Sequence, residues 1–370
     1  MHDWLTGFRG GEKVLAELAK LYPEADLYTL VYVPGSTCEA IERLSIHTSP
    51  LSRIPGIRHH YRAWLPLFPL AIRSFRLEGY DLIVSVSHAV AKAVPHDAAI
   101  PHVSYCLTPM RYVWDESSRY LGHGLRRTLS APLVRYLKNF DRSTSDRDQV
   151  RRFVAVSRAV SVRISDHYQR FSEIVWPPVD VDRIRPNGRA PDDFYLLVGG
   201  FVPYKCAPLA IEAFRELKRP LWIVGDGPLR RRLASGAPAH VRFLGHVGDA
   251  ELADLYARCR ALIYPQREDF GISAVEAQAA GRPVIAFGGG GACDTVVPLD
   301  ASGTPSAASP TGIWFTPHTS AALAEAVLRF EANEATFSSD AIRAWAKPFG
   351  PERFRREFSA QVQKACAGDG

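Results

Sequence analysis

Apolar runs of strand length alternate with amphipathic helical stretches along most of this chain, and this alternation limits its fold more than any other feature. In the second half, the strand-like runs are 194–200, 221–227, 241–247, 261–266 and 282–291, and the helical stretches between them are 207–217, 228–235 and 249–259. Continuous apolar strands separated by helices are typical of a parallel sheet that is covered on both faces. The pattern therefore predicts an α/β fold.

The first half repeats this pattern less clearly, with strand-like runs at 80–87, 102–108 and 152–157. Between the two sets, residues 176–193 are rich in Pro, Asp and Arg and have no apolar periodicity, which is typical of a linker. A chain of 370 residues is long enough to bury two separate cores. We therefore expect two Rossmann-like domains, one on each side of the linker.

The cysteines and the apolar segments limit the expected cellular location. The six cysteines are scattered, without a C-x-x-C pair or a nearby His at metal-ligand spacing, which predicts reduced thiols and a cytosolic compartment. The sequence has no run of about 18 apolar residues and no basic segment followed by an apolar one at its start. We expect a protein that neither spans a membrane nor is exported.

The net charge is concentrated in the first half of the chain. Residues 1–185 carry 25 Lys and Arg against 19 Asp and Glu, which accounts for the whole net charge of +6. One segment, 58–76, has no acidic residue and combines apolar side chains such as Trp64 with Arg58, Arg62, Arg73 and Arg76.

Two interpretations of segment 58–76 remain open. Basic residues beside aromatic and aliphatic ones suit the headgroup zone of an anionic membrane surface, where each cation contributes about 1 kcal/mol. Alternatively, the segment packs its apolar side on the domain and leaves its arginines in solvent. Nucleic acid is not expected as a partner, because no nucleic-acid-binding motif accompanies these charges.

Gly-rich loops follow three of the strand-like runs in the second half. Residues 199–205 (GGFVPYK) end in Lys205 before a helical stretch, residues 225–228 (GDGP) contain Gly225 and Gly227, and residues 288–291 are GGGG. In open α/β sheets ligands bind at the carboxyl ends of the strands, and a helix N-terminus with a Lys favours phosphate. The carboxylates of Glu268 and Glu276 suit hydroxyl groups, so this half of the chain predicts a nucleotide sugar as ligand.

Glu276 also has a purely structural interpretation. Ser273 and Glu276 match the S-x-x-E pattern of a capping box, in which Glu276 satisfies backbone N–H groups at the start of a helix that ends near Gly281. Glu268 lies outside that helix and beside Asp269, where a second carboxylate only adds repulsion. Glu268 therefore has no such structural explanation.

Residues 194–291 resemble the donor-binding domain of retaining GT-B glycosyltransferases of family 4, whose signature is a Glu, seven residues and a second Glu. In this sequence the pair is Glu268 and Glu276. Segments 2–15, 87–94, 105–115 and 153–164 resemble the acceptor-side domain of the bacterial mannosyltransferase-like branch, 177–184 resembles its interdomain strand, and 349–362 resembles its final helix.

The resemblance implies a GT-B fold, with two Rossmann-like domains that face a cleft and a C-terminal helix that crosses back to the first domain. The acceptor-binding domain would comprise residues 1–178 together with the crossover helix, 346–370. The donor-binding domain would comprise residues 179–345.

The resemblance also assigns roles to individual residues. Glu276 would bind the ribose hydroxyl groups, and Glu268 would contact the hydroxyl groups of the transferred sugar. Lys205 would neutralise charge on the departing nucleoside diphosphate, which is the part that a metal ion has in other glycosyltransferases. Neither a metal nor another cofactor is then expected.

Backbone groups complete the expected donor site. Phe270, Gly271 and Ile272 would offer N–H groups to the sugar and the diphosphate. Gly10 and Gly11 would let the loop of the first domain approach the donor phosphates or the acceptor closely.

These expectations lead to a predicted activity. We expect a retaining α-mannosyltransferase that uses GDP-mannose, with a polyprenyl-diphosphate-linked oligosaccharide of exopolysaccharide or O-antigen assembly as acceptor. An acceptor of this kind would require attachment to the inner face of the plasma membrane, for which segment 58–76 is suited.

Three departures from the family pattern keep other functions open. Gly200 stands where relatives have an Arg, Leu107 stands where they have a His, and a short apolar strand usually precedes the equivalent of His2 and Asp3. Without that strand we expect the first sheet to lack a central member. The alternatives are a non-catalytic nucleotide-sugar-binding subunit and, on the same architecture, a sugar-nucleotide epimerase.

Overall fold

The chain divides into two units, each built around a parallel sheet. Unit 1 comprises residues 1–178 and 352–370, and unit 2 comprises residues 179–351. The computed structural model describes residues 1–114, 125–299 and 309–368. Residue 115 of the motif 105–115 and the last two residues of the expected crossover helix lie outside the described residues.

The sheet of unit 2 has the strand order of a doubly wound nucleotide-binding fold. Its strands are β7 (Tyr195–Val198), β8 (Leu221–Val224), β9 (Val241–Gly245), β10 (Leu262–Tyr264), β11 (Val284–Phe287) and β12 (Gly312–Phe315). They lie in the order β12, β11, β10, β7, β8, β9, and all neighbouring pairs are parallel. The order reverses direction between β7 and β10, which is where ligands bind in such sheets.

The helices of unit 2 cover this sheet. They are Ala207–Leu217, Arg230–Ser235, Asp249–Arg258, Ile272–Ala279, Ala292–Thr295, Ser320–Ala332 and Ser339–Ala346, with 3₁₀ turns at Pro203–Lys205, Glu334–Thr336 and Lys347–Phe349. The apolar residues of Ala207–Leu217 and Ser320–Ala332 join β7, β8 and β11 in one core cluster. The five strands expected in this half, and the three helices expected between them, are confirmed.

The sheet of unit 1 contains the strands β1 (Asp26–Thr29), β2 (Ser45–Thr48), β3 (Ile83–Ser87), β4 (His102–Cys106), β5 (Arg152–Ala155) and β6 (Ser172–Ile174). β1 pairs with β2, and β3 to β6 pair in sequence order, all in parallel. Among the described residues, no named strand lies between β1 and β3.

The expected gap in the centre of this sheet is partly filled. His2 forms parallel bridges with both Thr29 of β1 and Val86 of β3. The N–H of His2 donates to the carbonyl of Tyr28 at 2.9 Å, and the terminal ammonium of Met1 donates to the carbonyl of Val84 at 2.8 Å. The first residues therefore occupy the central position only at its carboxyl end, and an apolar cavity of about 230 Å³ lies between β1 and β3 beyond Met1.

The helices of unit 1 include the chain's last described helix. They are Gly10–Leu21, Glu39–Glu42, Ile57–His60, Phe68–Ile72, Leu125–Ser143, Arg158–Tyr168 and Pro351–Cys366, with 3₁₀ turns at Pro50–Arg53, Tyr61–Leu67 and Ala91–Ala93. In Pro351–Cys366, the rings of Phe354 and Phe358 lie 5.5 and 5.9 Å from the ring of Tyr105 on β4. This helix therefore completes the core of unit 1 after the whole of unit 2, as expected for the crossover helix.

Candidate functional site

A cation and a carboxylate are in contact at the switch point of the unit 2 sheet, which is where the strand order reverses between β7 and β10. Lys205 lies in the 3₁₀ turn after β7, directly before the helix that begins at Ala207. Glu268 lies in the loop after β10, and one of its carboxylate oxygens forms an ion pair with the Lys205 ammonium. The two side chains keep 19% and 18% of their surface exposed. Both can therefore be reached by a ligand without being fully solvated.

A buried tyrosine fixes the orientation of Glu268. Tyr264, the last residue of β10, is 1% exposed and donates a hydrogen bond from its hydroxyl to Glu268 Oε2 at 2.7 Å. Burial, and secondarily the neighbouring Glu268 carboxylate, raises the pKa of Tyr264 well above its usual value. Tyr264 therefore stays protonated and acts as a permanent donor to Glu268.

The loop after Glu268 depends on two glycines. Gly271 has φ of +101°, and a Cβ at this position would lie 2.6 Å from the Tyr264 hydroxyl oxygen. Gly291 donates its N–H to the carbonyl of Glu268 at 2.8 Å, and a Cβ on Gly291 would lie 2.2 Å from the Cα of Phe270. The loop is therefore held between β10 and the GGGG segment, and the helix that follows begins at Ile272.

Glu276 is held by tertiary contacts and does not act as a cap. The helix Ile272–Ala279 has Gly271 as its N-cap residue, with no side-chain capping bond. Glu276 Oε2 accepts a hydrogen bond from the hydroxyl of buried Tyr256 at 3.0 Å, and its Oε1 lies 3.8 Å from the guanidinium of Arg183. The capping-box interpretation of Ser273 and Glu276 is wrong, because the helix begins too early for either side chain to reach its orphan N–H groups.

Close backbone packing explains the glycines after β8. A Cβ on Gly225, which has φ of +134°, would lie 2.0 Å from the carbonyl oxygen of Gly199. A Cβ on Gly227, which has φ of +156°, would lie 2.8 Å from the N and O atoms of Phe201. The loops after β7 and β8 therefore touch through their main chains, which brings 225–227 next to the loop that carries Lys205.

In unit 1, a buried carboxylate organises the loop after β3. Asp3 is fully buried and accepts four backbone N–H bonds at 2.7 to 3.0 Å, from residues 88 to 91. The Nδ1 atom of His88 lies 3.0 Å from Asp3 Oδ2. Interactions with His88 hold the pKa of Asp3 far below its usual value against the opposing effect of burial.

Gly11 has a local packing role in the same region. The helix Gly10–Leu21 begins at Gly10, and a Cβ on Gly11 would lie 2.9 Å from the side chain of Leu107 and 3.4 Å from the ring of His2. Leu107 therefore covers the helix start from within unit 1. His102, by contrast, is buried in β4 and bonds to Gln149 O and Ser85 Oγ at 2.7 and 2.8 Å.

Segment 58–76 packs apolar side chains on unit 1 and leaves its arginines in solvent, as the second interpretation expected. The segment buries Tyr61 of its 3₁₀ turn, and Phe68 and Ile72 of the helix that follows, in a core cluster of unit 1. Leu67 and Leu70 nevertheless remain 39% and 61% exposed, and the arginines, namely Arg58, Arg62, Arg73 and Arg76, are all exposed. Trp64 is partly buried against the same core.

The described residues contain neither a metal cluster nor a membrane-spanning helix. Within residues 1–114, 125–299 and 309–368, no group of three or more His, Cys, Asp or Glu side chains is placed to hold a metal ion. No helix in the same ranges is long and apolar enough to cross a bilayer.

Two family descriptions match successive parts of the chain. The model of Glycosyltransferase Family 4 matches residues 8–183, and the model of Glycosyl transferases group 1 matches residues 180–346. The chain belongs to glycosyltransferase family 4. Within this glycosyltransferase, the second match contains the whole switch-point site.

Curated relatives agree with this assignment. The glycosyltransferase is 27% identical over 290 residues to an uncharacterized glycosyltransferase of Methanocaldococcus jannaschii, with 76% of this chain and 75% of the relative covered. It is 34% identical over 101 residues to O-antigen chain mannosyltransferase C of Escherichia coli, but that match covers only 25% of this chain and 27% of the relative.

Solved structures confirm the GT-B fold. Sucrose-phosphate synthase from Thermosynechococcus elongatus superposes with a TM-score of 0.71 at 18% identity, covering 99% of both chains. Anabaena Alr3699/HepE in complex with UDP superposes with a TM-score of 0.70 at 16% identity, covering 98% of this chain and 99% of that one. At these identities the likeness concerns the fold alone.

The structure brings together most of the residues that the sequence singled out in the glycosyltransferase's second half. Lys205 and Glu268 are in contact, and Phe270, Gly271 and Ile272 follow directly in the same loop. Tyr264, Tyr256 and Arg183 were not predicted. Tyr264 lies in an apolar strand, Tyr256 lies in an amphipathic helix, and Arg183 lies in the expected linker. Only their contacts reveal their connection with the two glutamates.

Proposed function

We propose that this glycosyltransferase transfers mannose from GDP-mannose, with retention, to a polyprenyl-diphosphate-linked oligosaccharide in exopolysaccharide or O-antigen assembly. The observation that carries the proposal is the contact between Lys205 and Glu268 at the switch point of unit 2. A cation that suits a diphosphate stands beside a carboxylate that suits sugar hydroxyl groups. A nucleotide sugar carries both of these groups next to the bond that breaks.

Lys205 stabilises the leaving group in this proposal. As the bond between the anomeric carbon and the diphosphate oxygen breaks, negative charge grows on the diphosphate. The Lys205 ammonium then leaves Glu268 and pairs with the diphosphate. Removing one such preorganised donor costs about a hundred- to a thousandfold in rate in other enzymes. Glu268, held by Tyr264, accepts hydrogen bonds from the sugar hydroxyl groups.

The remaining donor contacts come from unit 2. Glu276 accepts hydrogen bonds from the ribose, in competition with Arg183 and Tyr256. The N–H groups of Phe270, Gly271 and Ile272 bind the sugar and the diphosphate, and the main chain of Gly225 to Gly227 adjoins the nucleotide. The proposal requires neither a metal nor another cofactor.

The choice of mannose is supported by sequence likeness. The acceptor-side segments resemble the mannosyltransferase-like branch, and the matching relatives include an O-antigen chain mannosyltransferase. Unit 1, with Gly10 and Gly11 at the start of its first helix, would bind the acceptor.

A lipid-linked acceptor is supported by the surface of segment 58–76. Exposed leucines at 67 and 70 lie among exposed arginines, a combination that binds the interface of an anionic bilayer. We therefore place the protein on the inner face of the plasma membrane, as a peripheral protein.

The test is a transfer assay by mass spectrometry. The donors are GDP-mannose, UDP-glucose, UDP-galactose and UDP-GlcNAc, and the acceptor is a prenyl-diphosphate disaccharide. We expect transfer from GDP-mannose, its loss in Lys205→Ala and Glu268→Gln, and wild-type turnover in Glu212→Gln, a control on the exposed face of the helix Ala207–Leu217. Glu276→Gln should raise the donor KM more than it lowers kcat, because ribose binding contributes equally before and during the reaction.

Other outcomes would select the alternatives. Donor binding without turnover for every donor would favour a non-catalytic nucleotide-sugar-binding subunit. Release of an altered sugar nucleotide without an acceptor would favour an epimerase. Transfer only from a UDP-sugar would keep the reaction class and reject mannose.

A further inference from the structure

A concave site lined by cations lies in unit 1. Its volume is about 420 Å³, within the usual range for small-molecule sites. Its polar lining comes from the loop before the first helix and from segment 58–76, namely Thr6, Arg9, Arg58, His60, Tyr61 and Arg62. We name it the arginine cavity.

The lining of the arginine cavity selects for anions. Three arginines and a histidine line one space, and no carboxylate from the described part of the chain is among its lining residues. Guanidinium groups bind phosphate oxygens through paired N–H donors, and they do so better than ammonium groups. Arg9 and Arg62 would each offer paired N–H donors to an anion with two or more charges.

Two features of the surroundings strengthen this selection. Arg9 is the N-cap residue of the 12-residue helix Gly10–Leu21, whose N-terminus adds partial positive charge. The Arg62 guanidinium lies 5.5 Å from the ring centroid of Tyr61, which is 7% exposed and therefore gives Arg62 a fixed support. The nearby acid, Glu12, is directed elsewhere, because its carboxylate accepts the Arg9 N–H at 2.9 Å and lies 3.6 Å from His2.

The geometry points to the arginine cavity as the site for the diphosphate of the acceptor. This assignment rests on the proposed function and deepens it, since it gives the acceptor's charged head a defined place, distinct from the general attraction of a basic surface to a membrane. The 3₁₀ turn Tyr61–Leu67 then leads from Arg62 to exposed Leu67, a distance of roughly 10 Å at about 2 Å per residue. A diphosphate in the cavity would therefore have apolar side chains nearby for its prenyl chain.

Calorimetric titration with geranyl diphosphate, a soluble prenyl diphosphate, tests the assignment. The full chain carries Lys205→Ala throughout, so that phosphate binding in unit 2 is suppressed. We expect Arg9→Gln and Arg62→Gln each to weaken binding at least tenfold, and Arg76→Gln, an exposed arginine outside the cavity, to change it less than twofold. In flotation with phosphatidylglycerol vesicles, Arg62→Gln and Arg76→Gln should have similar effects, because both reduce the surface charge equally.

Three results would overturn the assignment. They are the absence of saturable geranyl diphosphate binding, equal weakening by all three variants, and loss of vesicle binding in the cavity variants with geranyl diphosphate binding unchanged. The last result would identify the anion as a lipid headgroup. Because the titration needs no turnover, failure of sugar transfer leaves this test intact. If the enzyme transfers sugar but Arg9→Gln and Arg62→Gln leave geranyl diphosphate binding unchanged, the arginine cavity is rejected as the diphosphate site and the proposed function stands.

Discussion

The hydroxyl of Tyr264 donates to one oxygen of Glu268 at 2.7 Å, while the other oxygen pairs with Lys205. The Glu268 carboxylate therefore has two partners. The buried, neutral Tyr264 remains bound to it, whereas the partly exposed Lys205 can be displaced by a ligand. This division lets Glu268 keep its orientation when Lys205 moves to a diphosphate.

Tyr264→Phe should lower kcat/KM for the donor by about ten- to a hundredfold, because a hydrogen bond to a charged group contributes about 1.5 to 3 kcal/mol. The apolar ring remains in place, so the melting temperature should change little. Steady-state kinetics of the purified variant test this, with Tyr136→Phe, at a position that is 45% exposed, as the matched control. Unchanged kinetics in Tyr264→Phe would show that Glu268 needs no such support.

Gly225→Ala should destabilise unit 2 by more than about 3 kcal/mol, because the new Cβ would lie 2.0 Å from Gly199 O at a φ of +134°. Gly236→Ala is the control, since a Cβ there meets nothing within 4 Å. Urea denaturation followed by fluorescence measures both. If the two variants unfold at the same urea concentration, the close contact between the loops after β7 and β8 is absent in solution.

Acid should destabilise unit 1 through His102. Burial lowers the pKa of His102 to about 3, against 6.5 for the unfolded chain. Between these values the unfolded state binds the extra proton, so the free energy of unfolding falls as pH falls from about 6.5 towards 3, by up to about 1.4 kcal/mol per pH unit.

Urea denaturation at several pH values between 7.5 and 4.5 tests this prediction. The variant His102→Gln should be less stable at pH 7.5 but should show a shallower loss of stability on acidification. Identical pH slopes in the variant and the wild type would assign the acid sensitivity to other groups.

Leu70→Glu should reduce binding to anionic vesicles several-fold, because it places a negative charge on a side chain that is 61% exposed among arginines. Leu328→Glu makes the same change at a leucine of unit 2 that is 52% exposed, and it should leave binding unchanged. Flotation at low and high salt compares the two. Equal losses would mean that net charge, rather than segment 58–76, governs membrane attachment.

Buried strands were the most predictable part of the fold. β7, β8, β10 and β11 are covered on both faces, so their sequences are continuously apolar and stand out from their surroundings. β1, β2, β6 and β12 were missed. Each has only three or four residues, and the first three also include polar ones, as in SIHT at 45–48. Their pairing depends on neighbours far along the chain, which local pattern does not contain.

Part of the candidate site could also be predicted from the sequence, and part could not. The spacing of Glu268 and Glu276 and the position of Lys205 could be read directly, because loops after strands carry polar residues that the core does not explain. The S-x-x-E pattern was misleading. The helix begins before Ser273, directly after Gly271 with its φ of +101°, and the Glu276 carboxylate accepts a hydrogen bond from Tyr256 instead. Arg183 could not be anticipated, because its contact with Glu276 joins residues 93 positions apart.

The packing of Phe354 and Phe358 on Tyr105 sets an order for folding during synthesis. Unit 1 lacks its last helix until the ribosome has finished residues 179–351, which takes roughly 10 to 30 s at about 5 to 20 residues per second. Throughout that time, the apolar face of β4 around Tyr105 has no cover from its final partner. A nascent chain stalled after residue 351 should therefore contain a protease-resistant unit 2 and a protease-sensitive unit 1, and this face is where a chaperone would be needed.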